Sequence, residues 1–324
     1  MKFEGSKVLV TGGAGFIGSH LVDALVKKGD MVRVVDNLSR GKKNNLKNCL
    51  DKVEFFRGDL TDMSVALKSV KDIGFCFHLA AVVGGVDFMT NHPAETCKNI
   101  LIDHNIIEAC RRSKIKKMLY VSTACVYPTT LQKEFSQPPL QEEDALKYGA
   151  MPDSYYGWAK LMGEIQCQAY QIEHGMNIAI VRPFNPYGPR ESFDPKDSHV
   201  IPALIKKAVK KENPFIVWGS GGQARGFTYI GDLTEGMILA LEKSRDATPI
   251  NLGTDKPTPI KELAELILNL TKHNIPITFE KSKPEGVSSR KTDVSKAKRI
   301  LDWEQKTDLE TGLKRTIDWY LNEC

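Results

Sequence analysis

Tyr156 and Lys160 stand four residues apart in Tyr156-Gly-Trp-Ala-Lys160, a spacing that puts a phenol and an ammonium on one face of a helix. A tyrosine of ordinary acidity, pKa ~10, is a poor base at neutral pH, and a neighbouring cation corrects this by favouring the phenolate. Tyr155 is five residues from Lys160 and turns off that face. Thr123, after a preceding strand, offers a hydroxyl to the same substrate oxygen. Two residues on, Cys125 carries a thiol of ordinary pKa ~8.5, which can exchange a proton after modest tuning. Together these groups suit removal of a hydroxyl proton, and hydride transfer would need an acceptor beside them.

The acceptor's site is legible upstream. Gly12-Gly-Ala-Gly15-Phe16-Ile17-Gly18 follows a strand and opens a helix. Glycines there allow a tight turn and close backbone approach, and the helix N-terminus offers unpaired N–H groups to a pyrophosphate. Asp36 ends the next strand, where a carboxylate can accept from both ribose hydroxyls and repels a 2′-phosphate, so NAD is expected rather than NADP. Arg33 and Arg40 temper that preference, since either could reach such a phosphate or simply be solvated surface charge. Asp59-Leu60 follows the third strand and could meet the adenine, with helix capping an equal alternative for Asp59. Leu79-Ala80-Ala81 follows the fourth and offers small side chains where the dinucleotide lies against backbone.

These residues need a sheet to hold them. Val8–Val10, Met31–Asp36, Val53–Phe56, Phe75–Leu79, Met118–Ser122 and Ile178–Val181 read as strands. Helical stretches near Met63–Val70, Ala94–Ser113 and Ser154–His174 alternate with them. The pattern is that of an α/β fold with a Rossmann-type, doubly wound parallel sheet. Residues 1–182 are expected to form the NAD-binding domain. Residues 183–324, richer in proline and glycine, should form mainly a smaller substrate-binding lobe, with about 226–252 returning to the first domain.

The chain has 324 residues, a net charge of +5 and seven cysteines. Its charges are mixed along the sequence, which argues against a nucleic-acid partner. The cysteines lack C-x-x-C spacing, so neither a disulfide framework nor a metal site is indicated. No apolar run is of membrane-spanning length and the N-terminus leads directly into a strand, so a cytoplasmic enzyme is expected.

The ordered set Thr11–Gly18, His78-Leu-Ala-Ala81, Thr123 with Tyr156-x-x-x-Lys160, Arg182-Pro-Phe-Asn-Pro-Tyr-Gly188 and Arg225-Gly-Phe-Thr-Tyr-Ile-Gly-Asp232 resembles the extended short-chain dehydrogenase/reductase family of nucleotide-sugar enzymes over nearly the whole chain. The resemblance makes Thr123, Tyr156 and Lys160 the catalytic set, assigns Asn185 and Arg225 to the nucleotide diphosphate, and implies a homodimer through the Ala94–Ser113 and Ser154–His174 helices. The Asp36-Asn37-Leu-Ser-Arg-Gly41 run looks like that of NAD-retaining epimerases. The Cys125 loop is similar to that of GDP-fucose synthases and GDP-mannose 3,5-epimerases, in which the cysteine is an acid/base. Tyr187–Ala203 is similar to the fucose synthase segment whose histidine is the partner acid/base, which assigns that role to His199. Val83-Gly84-Gly85-Val86 resembles the loop both families place beside the sugar. Lys206 and Lys207 could assist in substrate binding or form a solvated helix face.

A ketone made at carbon 4 of a hexose acidifies the hydrogens on carbons 3 and 5, and inversion there needs an acid and a base. The expected activity is therefore an NAD-dependent epimerase acting on a GDP-hexose at carbons 3 and 5. The alternatives are a GDP-fucose synthase-like epimerase-reductase, a UDP-hexose 4-epimerase, or an NAD-binding sensor or scaffold without turnover.

Overall fold

Short apolar, β-branched runs become parallel strands because both faces of the sheet are covered by helices. The computed structural model describes residue 3 and residues 5–134, 136–194, 198–283 and 286–324. Strands β1 (Lys7–Thr11), β2 (Val32–Asp36), β3 (Val53–Arg57), β4 (Ile73–His78), β5 (Lys117–Val121) and β6 (Ile178–Pro183) pair in parallel. Pro249–Leu252 adds a seventh strand beside β6. The spatial order is Pro249–Leu252, β6, β5, β4, β1, β2, β3. It reverses between β1 and β4, where a doubly wound sheet opens its ligand crevice at the carboxyl ends of the strands.

Alternation along β1 divides the core. Val8 and Val10 face α1 (Phe16–Lys27) and the Ile230–Lys243 helix, whose Leu21, Leu25, Leu233 and Met237 are buried against them. Leu9 faces the other side, with Ile106, Ile107 and Cys110 of the Pro93–Arg112 helix and Cys167 of the Tyr155–His174 helix. The latter helix begins where Ser154 accepts the Gly157 N–H and ends at Gly175, in the left-handed region at φ 64°. It is the platform for Tyr156 and Lys160.

The later segments build small sheets over the crevice. Ala224–Arg225 lies between Thr258–Pro259 and Ser289–Arg290, and Phe215–Trp218 pairs with Ile277–Glu280. The first of these brings Arg225 into register with Arg290. Among the described residues, no helix is long and apolar enough to cross a membrane.

Candidate active site

The first turn is a cradle that side chains would fill. Gly12 has φ +67°, and a Cβ on it would lie 2.8 Å from the Ala80 nitrogen; a Cβ on Gly18 would collide with the Gly12 carbonyl. Gly15 caps α1 without a side chain, leaving the N–H groups of the Phe16–Ile17 turn to an incoming anion. The cradle thus fits a dinucleotide pyrophosphate. Asp36 accepts the N–H groups of Ala14 at 3.0 Å and Leu38 at 2.8 Å, one on each oxygen, so each keeps a lone pair for a ribose hydroxyl. Burial pushes its carboxyl up, and those two N–H groups partly offset the effect.

Beyond Asp36, Asn37 donates to Asp59 at 3.0 Å. Asp59 also accepts the Thr61 N–H at 2.9 Å, while the following helix is capped by Asp62. Asp59 is therefore not the helix cap expected as one alternative: it caps a turn and braces Asn37. Leu60 is buried and its carbonyl accepts from Asn105. Leu79 and Ala80 give their N–H groups to the Thr11 hydroxyl oxygen, each at 3.1 Å. Past Ala81, Asn99 clamps both the N–H and the carbonyl of Val82, at 2.7 and 2.8 Å. That clamp shapes the approach to Gly84 and Gly85, with Gly84 pressed against Phe88. The Val86 side chain lies outside the described residues.

Of the two adjacent tyrosines, Tyr156 is buried and Tyr155 is exposed. The Tyr156 hydroxyl lies near the Thr123 hydroxyl, which accepts the Cys125 N–H at 3.2 Å. Its phenol is pushed up by burial, then by the nearby Cys125 and Asp103, with Thr123 opposing. Lys160 is also buried, and its ammonium lies 3.3 and 3.4 Å from the two Asp103 oxygens and 4.0 Å from the Tyr120 ring centroid. Gly157 admits the Cys125 carbonyl, which a Cβ would strike, and that carbonyl accepts the Asp153 N–H at 3.1 Å.

The Cys125 thiol faces a buried ion pair. Arg290 donates to Asp153 at 2.7 Å and to Gln132 at 2.6 Å, with the Cys125 thiol close enough to feel both charges. The thiol is pushed up to about 11 by burial and by Asp153, with Arg290 and Thr123 opposing. Arg225, in register with Arg290, is lowered to about 10 by burial and then by Arg290, against the attraction of Asp153. Asn185, at φ 37°, donates to the Gly226 carbonyl at 2.9 Å and so braces the Arg225 strand.

His199 precedes the Val200–Val209 helix, and its Nδ1 lies 2.8 Å from a Glu191 oxygen. Burial pushes the Glu191 carboxyl up, and the His199 contact opposes this. Among the described residues no hydrogen bond or ion pair joins His199 to Cys125; residues 195–197, just before it, lie outside them. Lys206 donates to the Phe193 carbonyl at 2.9 Å and Lys207 to the Ile216 carbonyl at 2.8 Å, so both tether loops.

Reasoning from sequence passed over Asp103, Asn99, Asp153, Arg290 and Glu191, and the surface reading of Arg33 does not hold: it is buried, donates to the Ser69 and Lys71 carbonyls and pairs with Glu54. For the first two a signal existed: Asn99, Asp103, Ile106 and Cys110 recur at helical spacing on one buried stripe, where a polar side chain requires a partner. Arg290 sits on a two-residue strand, and no local pattern marked it.

The sequence model of the NAD dependent epimerase/dehydratase family matches residues 8–253. A GDP-mannose 3,5-epimerase of Arabidopsis thaliana is 35% identical over 98% of this chain and 82% of its own length. A UDP-N-acetyl-alpha-D-glucosaminuronate decarboxylase of Bacillus cytotoxicus is 34% identical over 97% of each chain. Among solved structures, a UDP-glucuronic acid 4-epimerase of Bacillus cereus, in complex with UDP-glucuronic acid and NAD, is 29% identical with a TM-score of 0.85, covering 98% of this chain and 99% of that one.

Proposed function

We propose that this chain, which belongs to the NAD dependent epimerase/dehydratase family, is a 3,5-epimerase of a GDP-hexose. The protein is an enzyme with NAD as its cofactor, and NAD when bound supplies reversible hydride acceptance. The Gly12–Gly18 cradle and Asp36 would hold it, with Asn37, Asp59, Leu60 and Leu79–Ala81 along its adenosine and backbone path.

In this reading Tyr156 takes the proton of the carbon-4 hydroxyl, the neighbouring Thr123 hydroxyl holds the oxygen, and Lys160 supplies the cation. The observation that carries the further step is the Cys125 thiol, set against Tyr156, Asp153 and Arg290. A thiol raised to about 11 is a proton donor at neutral pH. Cys125 thus delivers a proton to one carbon beside the ketone, and His199, oriented through Nδ1 by Glu191, removes one with Nε2. Arg225 and Arg290, opposed by burial and drawn together on adjacent strands, favour a diphosphate between them. The GDP base and the hexose are supported by the Cys125 loop and by the 35% identical relative.

The outer faces of the Pro93–Arg112 and Tyr155–His174 helices expose Ile100, Leu101, Trp158, Met162 and Ile165. This apolar stripe supports a homodimer built on those helices.

Incubation with GDP-mannose in deuterated water tests the proposal. Deuterium is expected at carbons 3 and 5 with no net consumption of NAD; turnover without incorporation refutes the roles of Cys125 and His199. A second reading, a UDP-hexose 4-epimerase, is supported by the relatives and solved neighbours that act on UDP-sugars. It predicts turnover of UDP-hexoses that Cys125→Ala leaves unchanged.

A further inference from the structure

Asp103 is wholly buried, and its surroundings account for it. It accepts from the Tyr120 hydroxyl at 2.6 Å, from His78 Nε2 at 2.9 Å and from the Lys160 ammonium at 3.3 and 3.4 Å. Burial favours its protonation, but the Lys160 charge and the His78 and Tyr120 bonds outweigh this and hold the carboxyl below its usual range. His78 is pushed down by burial against the pull of Asp103. A neutral His78 has one N–H, which it gives to Asp103, so Nδ1 accepts the Thr11 hydroxyl at 2.7 Å. The Thr11 oxygen in turn holds the N–H groups of Leu79 and Ala80. A directed chain of hydrogen bonds therefore runs from the cofactor turn to the carboxylate that pairs with Lys160.

The other groups near this pair are accounted for. Glu164, one turn beyond Lys160, is bound by Arg182 and by the Ser122 hydroxyl. Cys167 is buried behind it, its thiol pushed well up by burial. Beside Tyr156 stand Cys125 and Asp153. Asp103 is thus the carboxylate in direct contact with the Lys160 ammonium.

We propose that Asp103 is a positioning residue for Lys160: its carboxylate is the counter-charge that lets a buried ammonium stand behind Tyr156, and the His78–Thr11 chain fixes that carboxylate to the cofactor turn. The inference rests on the reading of Tyr156 and Lys160 as the redox pair. In Asp103→Asn the shape is kept, but an ammonium only 1% exposed loses its counter-charge. Burial then favours the neutral amine, and a phenolate at Tyr156 loses the cation that stabilises it.

The test is a pH titration of the NAD-loaded enzyme, read by the ultraviolet absorbance of tyrosinate. Subtracting the matching Tyr156→Phe spectrum in each background isolates Tyr156 from the other tyrosines. Asp103→Asn is expected to raise the Tyr156 midpoint by about one pH unit or more. In a Lys160→Met background the same substitution should no longer raise the midpoint, because only the direct repulsion of the phenolate by Asp103 is then left to remove. An unchanged midpoint refutes the inference, and so does a lowered one, the result if Asp103 only repels the phenolate. Asp103→Ser, read identically, serves if Asp103→Asn does not fold. Unimpaired turnover by Tyr156→Phe would refute the redox reading instead, an outcome distinct from the position of the midpoint.

Discussion

The electrostatics of Cys125 make a quantitative prediction about its reactivity. Burial and Asp153 push the thiol up to about 11 against the pull of Arg290. At pH 7 the thiolate fraction is then about 10⁻⁴, compared with about 3% for a free thiol of pKa ~8.5, a deficit of roughly 300-fold. Iodoacetamide labelling of the substrate-free enzyme, with the labelled peptides quantified by mass spectrometry, measures this, and the exposed Cys97 and Cys324 serve as internal references. Cys125 is expected to react at least two orders of magnitude more slowly than Cys97 at pH 7, with a rate still rising above pH 10. Asp153→Asn removes the nearby anion while leaving Arg290 in place. A charge at this range shifts a pKa by about 1–3 units, so labelling of Cys125 should accelerate at least tenfold. Labelling of Cys125 as fast as Cys97, or indifference to Asp153→Asn, would refute the assignment of the thiol as a proton donor poised by its ion pair.

Two further substitutions separate packing from chemistry. Gly157→Ala places a methyl against the Cys125 carbonyl; an overpacking cost of about 1–3 kcal/mol should outweigh the helix-propensity gain of about 1 kcal/mol, lowering the melting temperature and reducing kcat by displacing the Cys125 loop. Glu164→Gln strips the counter-charge from Arg182, which is wholly enclosed. Urea unfolding should show a loss of about 3–5 kcal/mol, most of it regained when Arg182→Met is added.

The parts of the site that were legible in the sequence are those with a local physical cause. The Gly12–Gly18 turn, Asp36 and the Tyr156–Lys160 pair each lie on one element, so spacing alone states which face they share, and the six strands follow from uninterrupted apolar runs between glycine and helical punctuation. The electrostatic environment was not legible in this way. Cys125 meets Arg290 only because Ser289–Arg290 pairs with Ala224–Arg225, a junction of two-residue strands that no propensity specifies. Lys206 had a basic residue's usual claim to a phosphate, yet its ammonium is turned to the Phe193 carbonyl. Asp103 is the instructive case, since the stripe Asn99, Asp103, Ile106, Cys110 announced a buried carboxylate without naming its partner. That partner is Lys160, on the Tyr155–His174 helix and 57 residues away in sequence. The motif Tyr156-x-x-x-Lys160 therefore states where the cation is, but the charge it can lend to the phenol depends on a carboxylate outside the motif. Two chains with identical motifs and different residues at this helix position would then differ in the pH at which the tyrosine ionises.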